Sequence, residues 1–229
     1  MKQLTKLLSV IALLGLFIPA QAQQYKTREV PNAPAFSAIE VSGGDVNVYF
    51  TQGATHAFAI SGPAKLVKAT KIKVKDNTLI IEYNEPFFTG DDNDVKVQVT
   101  APQLTRVAVA GEADFECKTA FNGKELAIKT RQNGEVSIKN AAVSQITIDA
   151  KGSSSVDLDY VQADLIRVSA QDRAEVELSG NTSQLEVVKK GMFAKIDTKK
   201  LIAAQMGSGP TTAADQVAKD GSVEFNFND

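Results

Sequence analysis

Apolar residues in this chain recur at every second position, in short runs. Ile39-x-Val41, Val46-x-Val48, Ile72-x-Val74 and Val95-x-Val97-x-Val99 are the first clear cases. Such alternation turns one side of an extended segment to a core and the other to water, so it predicts half-buried strands. After residue 22 no long segment places apolar residues at i, i+3, i+4 and i+7, and helices are not expected. Residues 23–35, with Pro31 and Pro34, read as an extended lead-in, and "EPFFTGDDND" (Glu85 to Asp94) reads as a long loop.

From residue 104 to 200 the alternation becomes a repeat. "LAIKTRQNGEVSIKN" from Leu126, "ITIDAKGSSSVDLDY" from Ile146 and "IRVSAQDRAEVELSG" from Ile166 follow one another at intervals of 20 residues. Each has an apolar pair, a gap of seven residues and a second apolar pair. The pairs are Leu126/Ile128 with Val136/Ile138, Ile146/Ile148 with Val156/Leu158, and Ile166/Val168 with Val176/Leu178. "LEVVKKGMFAKIDTK" from Leu185 is a fourth copy that starts one residue early, and "VAVAGEADFECK" from Val107 is an edge copy. Phe121, Ala141, Val161 and Leu201 mark a third apolar point, which Asn181 interrupts.

One copy cannot bury its apolar side alone. Stacked copies line up Val136, Val156 and Val176 inside, and each rung bonds its backbone to the rungs above and below. Alternation, in place of continuous apolar strands, leaves the outer face to solvent. The expected fold is therefore all-β: a β-solenoid, parallel β-helix-like, with rungs of about 20 residues. Residues 36–229 form one domain in this reading. Residues 36–100 are either less regular early rungs or a sheet-like cap. "DGSVEFNFND" supplies a last strand that closes the far end, since an open rung invites aggregation.

The first 22 residues are not fold. Lys2 and Lys6 precede the apolar run Leu7 to Ile18, and Ala20-x-Ala22 supplies small residues for cleavage after Ala22. This is the pattern of a signal peptide, and the run is too short for a comfortable transmembrane helix. No second long apolar run follows, so no transmembrane segment is expected in the mature chain, which is exported to the periplasm or the cell surface. Removing two lysines from 25 basic residues against 27 acidic ones leaves 23 − 27 = −4. That balance argues against nucleic-acid binding, which needs a basic surface. Cys117 is the single cysteine, so no internal disulfide forms.

"FSAIEVSGGDVNVYFTQG" (Phe36 to Gly53) resembles the opening of the bacterial head GIN domain, the auto-transporter adhesin family. "VKVQVTAPQLTRVAVAGEADFE" (Val95 to Glu116), with its Ala101-Pro102-x-Leu104 step, is similar to the family's next segment, and "GSSSVDLDY" and "QMGSGP" resemble its Ser-Gly-rich bends. The bends "QDRA" and "KKGMFA" depart from that pattern. The resemblance spans about residues 36–227. It implies an exported β-helix-like domain with an adhesion or surface role, and it brings no catalytic residues.

Candidate chemistry is sparse. In "AKGSSSVDLDY", Ser153, Ser154 and Ser155 invite a nucleophile reading, with Lys151 as base. The neighbouring copies carry "RQNGE" and "QDRAE" at the same place, which marks a bend. His56 is the only histidine and reads as structural, and Cys117 falls at an inward position. Asp91, Asp92 and Asp94 are candidate calcium ligands because oxygen clusters suit that ion, although the EF-hand spacing fails at Val95 and Pro102. If Val156 and Leu158 point inward, then Glu116, Ser137, Asp157, Glu177 and Asp197 form an outward, mostly acidic ladder. Rungs lie about 4.8 Å apart, so these charges repel unless cations or lysines screen them. Lys118, Lys139 and Lys199 follow the same strands. Beside the ladder runs a second column: Asp114, Glu135, Ser155, Glu175 and Lys195.

The pattern favours a non-enzymatic, adhesin-like binding or surface-associated protein without a cofactor. A glycan or a cell-surface protein is the expected partner class. Two alternatives stand beside it: a polysaccharide-acting β-helix hydrolase or lyase, and a structural subunit of a surface assembly.

Overall fold

The computed structural model describes residues 25–83, 94–208, 216–217 and 223–224. The expected leader and its expected cleavage position after Ala22 lie outside them, as do Asp91 and Asp92. Strands come in the order β1 (Tyr25–Val30), β2 (Ala38–Gly43), β3 (Val46–Gln52) and β4 (Ala57–Pro63), then the helix α1 (Ala64–Ala69). There follow β5 (Lys71–Lys75), β6 (Thr78–Tyr83), β7 (Val95–Ala101), β8 (Arg106–Gly111), β9 (Asp114–Cys117), β10 (Phe121–Gln132) and β11 (Glu135–Lys139). The last are β12 (Ala141–Ala150), β13 (Ser155–Ala170), β14 (Glu175–Lys190), β15 (Lys195–Ser208) and the short pair β16 (Gln216–Val217) and β17 (Val223–Glu224).

The architecture is a β-solenoid of about five turns. Face A stacks β6, β2, β8 and the later parts of β10, β12, β13 and β14 in parallel. Face B stacks β7, β3, β9, β11 and the first parts of β13, β14 and β15. A shorter face C begins at Phe121 and joins the two. Gln52 ends this face in place of a strand: its side-chain amide donates to the Asn122 carbonyl and its oxygen accepts from the Asn122 amide, both at 2.9 Å.

The expected columns are present in register. Val136 pairs with Phe115 and Val156, and Val156 with Val176, all essentially without exposure. On face A, Ile128, Ile148 and Val168 do the same. The third column differs at one rung. Val161 pairs with Gly180, and Gly180 with Leu201, while Asn181 sits beside Gln162 on the outside. That rung is one residue shorter, which also explains why Leu185 pairs with Ile166 one position early.

Residues 36–101 prove to be both rungs and cap. The rung made by β2 and β3 lies between the rung made by β6 and β7 and the one made by β8 and β9, so stacking order departs from chain order. At Gly43 and Gly111, where face A turns towards face B, only glycine fits. Their φ values are +123° and +86°, and a Cβ on Gly111 would lie 2.1 Å from the Gly43 carbonyl oxygen. Antiparallel strands end the stack: β5 on β6, β4 on β7, and β1 on β4. The helix α1, not expected from the sequence, lays Leu66 and Val67 into the core. It ends where the Thr70 hydroxyl donates to the Leu66 carbonyl at 2.8 Å. Its six residues are too few for a periodic signal. Among the described residues no helix is long and apolar enough to cross a membrane.

Candidate binding surface

The stacked bends give the serines structural surroundings. Ser154 is buried, and its hydroxyl lies 2.8 Å from that of Thr130, a buried residue of the rung before. Ser153 donates its amide to the Gln132 carbonyl at 2.7 Å, and Arg173 repeats this onto Gly152 at 2.8 Å. The Lys151 ammonium lies 3.9 Å from the Asp149 carboxylate. His56 sits among the N-terminal rungs, where its Nε2 meets the Phe36 carbonyl at 3.1 Å and its ring packs edge-on to the Phe36 ring. These groups are not assembled around one reacting atom. Burial pushes the Cys117 thiol up, and its Sγ approaches the Thr119 carbonyl at 3.5 Å.

Face B carries the ladder. Glu116, Ser137, Asp157, Glu177 and Asp197 are successive register partners, and beside them run Asp114, Glu135, Ser155, Glu175 and Lys195. Lysines screen the acids, as charges one strand spacing apart require. Lys118 meets Glu116 at 2.9 Å, Lys139 meets Asp159 at 3.8 Å, and Lys199 meets Asp197 at 3.9 Å. Lys195 bonds Glu175 and lies 3.6 Å from Glu177. Two acids remain raised. Partial burial, then Asp159, pushes the Asp157 carboxyl up against the pull of Lys139 and Lys200. Partial burial, then Glu135, Asp45 and Glu116, takes Asp114 up to about 6.

Asp157, Asp159, Glu177, Asp197 and Lys199 border a depression of about 120 Å³. Ligand pockets run to roughly 300 Å³ and more, so this is surface relief rather than an enclosing pocket. Glu177 and Asp197 are neighbours on one outward face. Glycosidic acid–base chemistry needs two carboxylates flanking a bond. Among the described residues no three histidine, cysteine or acidic side chains converge as a metal would require. Asp94, the described member of the proposed calcium cluster, lies 3.4 Å from Lys96 and accepts from the Asn47 amide at 3.4 Å.

Sequence reasoning missed Tyr160. It ends the ladder strand at the corner of faces B and C with φ +55° and 69% exposure. A bulky residue in that backbone region is uncommon and marks a place worth testing for function. Ser179 holds it there: the Tyr160 amide donates to the Ser179 hydroxyl, which donates to Asp159, each at 3.0 Å. Face C beyond it is amide-rich and weakly charged, with Asn122, Gln162 and Asn181 on its outer column. An exposed aromatic outside the apolar period leaves no mark in a hydrophobic pattern. Its repeat partner Asn140 shares the left-handed backbone at φ +56° and was the available signal.

Comparison with known proteins gives one family. "Putative auto-transporter adhesin, head GIN domain" matches residues 35–216. Among solved structures, a putative adhesin from Parabacteroides merdae ATCC 43184 is 18% identical with a TM-score of 0.70, covering 82% of this chain and 78% of its own. A putative adhesin from Parabacteroides distasonis ATCC 8503 is also 18% identical, with a TM-score of 0.73 and the same coverages. A putative lipid binding protein from that strain is 16% identical, with a TM-score of 0.67, again covering 82% and 78%. These likenesses establish the solenoid fold. No curated protein matches the chain. The chain belongs to the head GIN domain family.

Proposed function

We propose that this is an exported, non-enzymatic, adhesin-like binding protein that meets an extended partner, a glycan or a cell-surface protein, along the outside of its solenoid. The observation that carries the reading is register. Side chains of equal position repeat outward over successive rungs of face B, from Glu116 through Asp157 and Glu177 to Asp197. A rigid row at about 4.8 Å per step suits a long ligand with its own repeat better than a small compact one. Face C adds uncharged amide donors and acceptors, and Tyr160 stands between the two faces with an apolar ring and a polar tip. The leader in residues 1–22 supports export, and the adhesin descriptions of the family and of two structural neighbours support a binding role.

The test is a screen of envelope and host polysaccharides for both binding and product. Retention without release of shortened or unsaturated chains is the expected result. Product formed by the pure protein overturns the non-enzymatic reading.

A further inference from the structure

The bends between face A and face B serve as controls for one another. All four occupy the same place in their rungs, and in three of them the amides of Gly134, Ala174 and Ala194 bond back to the carbonyls of Arg131, Gln171 and Gly191, all at 3.1 Å. The second residue is left-handed at Gln132, Gly152 and Asp172 but not at Met192. In each, a small residue is buried (Gly134, Ser154, Ala174, Ala194) and the two residues before it form the tip. The tips read Gln132-Asn133, Gly152-Ser153 and Asp172-Arg173, and then Met192-Phe193. Met192 and Phe193 are each 73% exposed. A bend at this place in the rung does not need an apolar tip, because three others are built without one.

The same part of the chain departs from the pattern elsewhere. Val188 is the extra residue of a bulge, since Val187 pairs with Val168 and Lys189 with Ser169, and it is 43% exposed. Ile202, 72% exposed, follows Asn181 and Gln162 in the outer column of face C. Charge changes with them. Residues 189–200 hold Lys189, Lys190, Lys195, Lys199 and Lys200 against Asp197 alone, 5 − 1 = +4, in a chain whose total is −2. Lys195 and Lys199 also serve face B as partners of Glu175 and Asp197.

An aromatic and a thioether side chain at a protruding tip, rimmed by lysines, have the chemistry of a surface that enters the headgroup region of a negatively charged bilayer. The apolar atoms gain burial at the acyl boundary, while the ammonium groups stay with the phosphates. We propose that the Met192-Phe193 bend is a docking tip for an anionic phospholipid surface. The solenoid would then be held by one bend, leaving the length of faces B and C before it open. The Met192-Phe193 tip itself lies in the bend between faces A and B, outside the strand faces assigned to partner recognition.

The test uses the protein purified as it is exported and sedimented with vesicles of phosphatidylcholine alone or with added phosphatidylglycerol. Anionic vesicles should carry the protein down at low salt, and neutral vesicles should do so weakly. M192S/F193S, which restores serine as found at Ser153, should lower the partition about tenfold. K189E/K190E should also lower it and weaken its salt dependence. M192S/F193S should keep the parent circular dichroism spectrum, because neither tip residue is buried, and the same spectrum checks the fold of K189E/K190E. The proposal is overturned by equal binding of parent and M192S/F193S, or by no binding of the parent to anionic vesicles. It is also overturned if the tip mediates self-association instead, seen as a parent dimer that M192S/F193S dissolves without any vesicle binding.

Discussion

Single residues settle which parts of this chain are structural. Ser154 faces inward onto Thr130, so Ser154→Ala leaves a buried hydroxyl without its partner and should cost about 1–3 kcal/mol in urea unfolding. Ser153→Ala, one step away on the outside, should change stability by less than about 0.5 kcal/mol. Asp114 is the acid most out of balance. Its folded carboxyl titrates at about 6, above the unfolded value near 3.9. The folded state therefore holds the proton more readily. Stability contributed by this group is present at low pH, is lost as pH rises from about 4 through 6, and stays lost above that. Asp114→Asn should melt higher than the parent at pH 7 and equally at pH 3.5. Because Asp114 is only partly withdrawn from water, solvent screening limits the gain to about 1 kcal/mol or less.

Rungs are the elements of this molecule. A rung is defined by register, so Ser155 to Ala174 should be removable as a unit: joining Ser154 to Glu175 puts the register partners Glu175 to Leu178 and Gly180 to Val187 in place of the removed strand, with the one-residue shortening before Gly180 and the Val188 bulge carried over. Such a deletion should keep a β-type circular dichroism spectrum and one cooperative melt at lower temperature. Removing only Ser155 to Asp164 would set face B of one rung against face A of the next, and should abolish cooperative unfolding. The same logic explains what could be read from the chain. Period two and period 20 report which side chains face in and which positions stack, and those columns appear as expected, Val136-Val156-Val176 among them. Nothing in an alternating strand says which strand will be its neighbour. The insertion of the β2–β3 rung between two later ones was therefore hidden. So was Gly180 in the place assigned to Asn181, because a bulge moves register without altering the apolar count.

For the whole molecule, the solenoid separates two surfaces. Lysine-screened acids on face B and amides on face C run along the axis, while the apolar, basic bend lies between β14 and β15, the last of the described rungs. The sequence made the acidic ladder legible because outward residues are fixed once inward ones are known. It could not show Tyr160 at the corner, whose place depends on a left-handed backbone held by Ser179 and Asp159. The central claim is that an extended partner lies along faces B and C and leaves unaltered. The most direct measurement is the binding isotherm, with product analysis, of the best polysaccharide or surface protein retained by the parent. It is repeated with Tyr160→Ala, with the pair Glu177→Lys and Asp197→Lys, and with Lys129→Glu on the exterior of face A. The account predicts about tenfold or greater loss for the first two, little change for the third, and intact ligand throughout. Equal affinity in all of them, or cleaved ligand in the parent sample, would contradict it.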